Sequence, residues 1–187
     1  MIRDLEPNKE IFKQLLEFAS NNNQKINLNY FSFDHYVTTF QMACMRGMSH
    51  DIISLMLQFK ANPNFKHEDG TENAFHLYCS SKKITSDTLK LLLETKAHVN
   101  AKDDEENTPF SILCSNVSVD DEMLKLMFKN GADPLVQKEN GYTPFHLYCK
   151  YSKISKDLLS LFLEKRCDLN SDAIQVSPFR SYAPTIA

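Results

Sequence analysis

At 187 residues, with 42% apolar and 24% charged side chains, the chain has the composition of a globular protein large enough to bury a sizeable core. A formal net charge of -3 gives no electrostatic reason to expect nucleic acid or an anionic membrane surface as partner. No stretch of about 18 apolar residues is available for membrane insertion.

The opening, MIRDLEPNKEIFKQLL, scatters charges throughout and lacks the apolar stretch of a secretory leader. Together with an odd count of five cysteines, this predicts free thiols in a reducing, cytoplasmic setting, with the nucleus left open. Residues 8–22, NKEIFKQLLEFASNN, place Ile11, Leu15, Leu16 and Phe18 on an amphipathic helix. Residues 1–33 therefore read as a capping helix and lead-in.

From residue 34 the chain repeats itself. Cys44, Cys79, Cys114 and Cys149 stand 35 residues apart, and Phe40, Phe75, Phe110 and Phe145 keep the same step. Each cysteine is followed by a second apolar run: IISLMLQFKANPN, TLKLLLETKAHVN, MLKLMFKNGADPL and LLSLFLEKRCDLN. Thr108-Pro109 and Thr143-Pro144 supply a capping hydroxyl and a proline for the first helical position, and Asn73 can cap likewise. The polar breaks SSKKITSD and KYSKISKD end in Asp87 and Asp157, which are expected to cap a second helix. That helix carries Leu89, Leu92 and Leu93, or Leu158, Leu161 and Phe162, at helical spacing. It should stop at Lys96-Ala97 or Gly131-Ala132, ahead of polar turns.

Thr-Pro-Phe-His-Leu followed by a Leu-rich helix and GADP or AHVN resembles the ankyrin repeat. The resemblance covers about residues 34–179, in four repeats near 34–67, 68–102, 103–137 and 138–172, and implies an all-α solenoid of helix-turn-helix units with protruding turns. Ser177-Pro178-Phe179 restarts the phrase as a fifth unit, and the tail 180–187 is expected to continue into a longer chain or to close as an irregular cap, the first being favoured. Two departures from the family stand out. The period is lengthened between the helices, and Tyr78-Cys79, Leu113-Cys114 and Tyr148-Cys149 occupy positions where the family prefers alanines.

The phrase FHLYC occurs at 75–79 and 145–149, which raises a repeated metal site as one explanation. Helix axes pack about 8–10 Å apart, so pairs separated by a whole repeat lie roughly 20 Å apart, too far to share an ion. No cofactor or metal is expected. The resemblance implies instead that His76 and His146 anchor cap and turn, and that Cys44, Cys79, Cys114 and Cys149 are structural wedges.

No nucleophile, base and water-excluding site come together in the sequence, and only four glycines are present, so no phosphate-cradling loop is expected and the chain does not read as an enzyme. The resemblance implies a monomeric protein-interaction scaffold or adaptor, binding a protein partner through turn tips and the exposed side of the first helices. Carried over by position, that surface includes His35, Glu72, Asn107 and Tyr142 at the tips. On the helices it includes Met45, Arg46, Ser80, Ser81, Ser115, Asn116, Lys150 and Tyr151. Aromatic and arginine side chains dominate hot spots, which singles out Tyr142, Tyr151 and Arg46. Asp103, Asp104, Glu105 and Glu106 form an acidic tip able to steer a basic partner. The alternative is a structural or autoregulatory spacer that contacts another domain of its own longer chain.

Overall fold

The computed structural model describes residues 9–22, 26–32, 37–66, 72–138, 141–151, 155–165 and 167. The chain divides into two compact units, 1–98 and 99–187. His35 and the whole fifth unit lie outside the described residues.

The first unit holds α1 (Lys9–Asn21), a two-stranded antiparallel ribbon of β1 (Phe31–Ser32) and β2 (Val37–Thr38), then α2 (Thr39–Met45), α3 (His50–Gln58), α4 (Ala74–Ser80) and α5 (Ser86–Glu94). Phe31 pairs with Thr38 and Ser32 with Val37. The inner helices α2 and α4 pack on each other, α3 packs on α5, and α1 packs on α3 from the other side. The second unit repeats the plan with α6 (Pro109–Ser115), α7 (Asp121–Lys129), α8 (Pro144–Tyr151) and α9 (Lys156–Glu164). Here α6 packs on α8 and α7 on α9. Among the described residues the protein is thus nine helices and one short ribbon, an all-α repeat fold.

Seven- and eight-residue helices are marginal in isolation, so packing must hold them. Phe40, Phe75, Phe110 and Phe145 are all fully buried, as are Tyr78 and Tyr148 on the same helices. In the second unit Phe162 collects the core: its ring meets Phe128 at 5.0 Å, Phe145 at 5.2 Å and Tyr148 at 5.6 Å. At 25 cal/mol per Å² or so, burying one such ring contributes about 2–3 kcal/mol.

Local chemistry sets the boundaries. The inner helices begin at reciprocal caps: Thr38 with Gln41, Asn73 with His76 and Thr108 with Ser111. The Thr38 cap, one period before Asn73, is an addition to the sequence reading. For α5, α7 and α9 the caps are Thr85, Asp120 and Ser155, each accepting from the amide three residues on, whereas Ser49 ahead of α3 makes no side-chain cap bond. Asp87 and Asp157, expected as caps, sit instead inside the first turn. A hydroxyl two residues earlier takes the bond, and the carboxylates face the positive end of the helix dipole. Outer helices end in a left-handed residue, Lys60, Lys96 or Gly131, and the next amide reaches back to the last turn, as in Ala97 to the Leu92 carbonyl at 3.2 Å.

Between α2 and α3 the chain turns in four residues, 46–49, against five, 81–85, between α4 and α5. Gly47 makes the shorter turn possible with φ +58°. A Cβ there would stand 2.3 Å from Ser81 Oγ and 2.8 Å from Lys83 Cβ. The turn tips are tied to one another by asparagines one period apart. Asn29 donates to the Lys60 carbonyl and accepts from the Asn62 amide, and Asn64 does the same with Lys96 and His98. In the second unit Asn100 does so with Gly131 and Asp133.

Candidate functional site

The repeated histidines are buried cap elements. His146 is 2% exposed; its Nδ1 accepts from the Thr143 amide at 3.2 Å and lies 2.7 Å from Thr143 Oγ1. His76 makes the equivalent contacts with Asn73, its Nδ1 lying 2.9 Å from Asn73 Oδ1. Cys44, Cys79 and Cys114 are buried free thiols, and Cys149 is half-buried. Burial pushes the Cys44 and Cys79 thiols far up, and Cys149 to about 11, which makes them poor nucleophiles. Among the described residues no three His, Cys, Asp or Glu side chains gather as metal ligands. No described helix is long and apolar enough to cross a membrane.

Three of the surface residues carried over by position, Tyr142, Lys150 and Tyr151, come together. Tyr142 ends the turn before α8, while Lys150 and Tyr151 close that helix. The Lys150 ammonium stands 5.0 Å from the Tyr151 ring centroid and 5.5 Å from that of Tyr142. Lys150 is exposed, Tyr151 is 44% exposed and Tyr142 is half-buried against His146, the ring centroids 5.9 Å apart. A hydrogen bond to Tyr151 holds the Lys150 pKa above the usual lysine value, so the cluster is cationic at neutral pH. The role of Lys150 as the bridge between two rings is absent from the sequence reading. The spacing of Tyr142 and Tyr151, nine residues across one short helix, was the available signal.

The remaining candidates are placed differently. Asp103 is 8% exposed and organises its turn. Its carboxylate accepts from the amides of Glu105 and Asn107 and from Asn107 Nδ2, at 2.8–2.9 Å. Asp104 and Glu105 are exposed, whereas Glu106 pairs with Lys102. Asn107 is thus engaged within the tip, and Asn116 caps the end of α6, its side chain accepting from the Ser118 amide. Glu72 is half-buried, and its carbonyl accepts from Gln41 Nε2 at 2.8 Å. Ser81 is buried against the Gly47 turn, its hydroxyl accepting from the Lys83 amide; Ser80, Met45 and Arg46 are exposed and Ser115 half-buried.

Arg46 borders a groove in the first unit whose presence the sequence did not reveal. Its walls include Phe12 from α1, Tyr30, and Met42 and Ala43 from α2.

Residues 40–137, from α2 through α7, match the family model for ankyrin repeats in three copies. The chain belongs to the ankyrin-repeat family. The α8–α9 pair, outside the matched range, repeats the same ankyrin plan, with the same inner-helix phrase and the same outer-helix cap position. Ankyrin repeats are in general protein-interaction modules and typically non-catalytic. A comparison with curated proteins returned no match.

Proposed function

We propose that this ankyrin-repeat chain is a cytoplasmic, monomeric interaction scaffold without enzymatic activity, and that Tyr142, Lys150 and Tyr151 anchor its protein partner. The observation that carries this reading is the lysine held between two tyrosine rings, one ahead of α8 and one at its last residue. Such a cluster offers broad aromatic contact with few rotors to freeze, plus one charge whose direction is already set. The cation–π contacts hold the ammonium against both rings, so the cluster is pre-organised before a partner arrives. The chemistry suits a partner segment that pairs an acidic side chain with an apolar one. Asp104 and Glu105 then act on encounter, steering basic regions of the same partner.

The test is affinity selection of partners on the purified chain, followed by affinity and melting measurements for Tyr142→Ala and Tyr151→Ala. Each truncation is expected to weaken binding by about 1–2 kcal/mol or more with little change in melting. Unchanged affinity in both, or a melting loss that accounts for the weakened binding, assigns the rings to the framework. Failure to bind anything except a further segment of the same longer chain supports a spacer instead.

A further inference from the structure

Inner helices in this fold sit side by side, and α2 has a neighbour on one flank only among the described residues. Its start and that of α4 are adjacent, since Gln41 Nε2 donates to the Glu72 carbonyl just ahead of α4. Their ends are adjacent too, since Gly47 abuts Ser81. The two helices therefore run parallel. Thr39, Met42, Ala43 and Arg46 share one face of α2 at helical spacing, and their equivalents one period later are Ala74, Leu77, Tyr78 and Ser81. All four of those are buried. On α2, by contrast, Thr39 and Arg46 are exposed and Met42 is half-buried. This face lines a groove of about 410 Å³, closed opposite by Phe12 of α1 and by Tyr30. Because α1 packs on α3 as an outer helix does, the groove lies where the inner helix of a preceding repeat would sit, and among the described residues no helix occupies it.

We propose that this groove docks a short amphipathic α-helix of another protein, apolar along one face and carrying a carboxylate in its last turn. A helix is required because the face of α2 that lines the groove is the one that, one period later on α4, is covered by α2 itself. The carboxylate follows from direction: a guest one repeat before α2 runs parallel to it and ends beside Arg46. The Arg46 guanidinium has no ion pair among the described residues, and a cation there suits both a guest carboxylate and the negative end of the guest helix. Methionines 42, 48 and 56 in the walls allow repacking around different guests. The chain's own spare inner-helix phrase fits poorly, because after Ser177-Pro178-Phe179 it carries no carboxylate side chain and places Pro184 where the last turn would lie. The groove belongs to the first unit and the tyrosine cluster to the second, so the proposal stands apart from the reading above.

The probe is a fluorescein-labelled, hydrocarbon-stapled peptide copying residues 38–45, TTFQMACM, and ending in Glu-Glu; a twin ends in Lys-Lys. Anisotropy titration against the full chain is expected to show saturable binding of the acidic peptide. Arg46→Glu should weaken it about tenfold and shift preference to the basic twin. Thr39→Arg, at an exposed position in the groove, should abolish binding without lowering the melting temperature, and Tyr142→Ala should leave it unchanged. No saturable binding up to about 1 mM peptide, or binding indifferent to both Arg46→Glu and Thr39→Arg, overturns the proposal. So does equal loss in Tyr142→Ala, which places the peptide at the tyrosines. A tenfold gain on deleting residues 1–8, or self-association that Thr39→Arg abolishes, overturns it by naming the chain itself as occupant.

Discussion

Replacing His146 by alanine and by glutamine separates what the side chain bonds from what it fills. In the alanine variant the buried Thr143 amide loses its acceptor at 3.2 Å and Thr143 Oγ1 its partner at 2.7 Å. A buried donor left unmade costs about 1–3 kcal/mol, and the space vacated by a side chain only 2% exposed adds about 1 kcal/mol more. The expected loss is about 2–4 kcal/mol. Glutamine should recover most of it, because Gln41 holds the same place in the first repeat and its Oε1 accepts from the Thr38 amide at 2.8 Å. With a urea slope of about 2 kcal/mol per molar, His146→Ala lowers the midpoint by roughly 1–2 M, and His146→Gln by less than about 0.5 M. Urea titration followed by far-UV circular dichroism reads both. Equal losses in the two variants would refute the cap assignment and leave packing as the whole contribution, and an alanine variant at wild-type stability would refute both.

Gly47→Ala forces a side chain into a left-handed residue and against Ser81 and Lys83; a loss of about 2–4 kcal/mol is expected in thermal or urea unfolding, and a neutral effect would show the turn to be plastic. Asn64→Ala removes a donor to the Lys96 carbonyl and an acceptor from the His98 amide, so a loss of about 1–2 kcal/mol should come with faster hydrogen exchange at His98, while Asn100→Ala leaves that amide protected. For Cys149, burial raises the thiol to about 11 from an ordinary 9.0. The native state holds this proton more tightly, so its contribution to stability is complete below pH 9 and is lost as pH climbs from 9 through 11. Native alkylation by iodoacetamide at pH 8 should be about a hundredfold slower than for an unfolded thiol, and a rate matching a free thiol would contradict the burial.

The repeat plan was legible because it is written in residues whose chemistry is local. The 35-residue step of Phe40 and Cys44, the caps at Asn73 and Thr108 and the stop at Gly131 each constrain a few backbone angles and nothing distant. The outer-helix caps were misplaced at Asp87 and Asp157 because several hydroxyls and carboxylates crowd those turns, and only geometry decides that Thr85 and Ser155 reach the amides. The candidate surface was legible by position but not by engagement. Asp103 reads as a charge among charges, yet its turn folds three donors onto it. The groove beside α2 left no mark in the sequence, since Phe12, Tyr30 and Met42 look like ordinary core residues until the structure shows them lining an open face.

Asn29, Asn64 and Asn100 each clasp two turns with one side chain, and the next position in that series is Leu135, 50% exposed. Across that step the described residues offer the Cys167 thiol at 4.0 Å from the Pro134 carbonyl, far weaker than an amide bonded at both ends. Under mechanical load a clasp of two hydrogen bonds resists shear, whereas a single long thiol contact slides. Within the second unit, tension would therefore part Cys167 from Pro134 while the Asn100 clasp on Gly131 and Asp133 still held. Among the described contacts of the second unit this sets an order of yielding, which separate steps in single-molecule force spectroscopy would read.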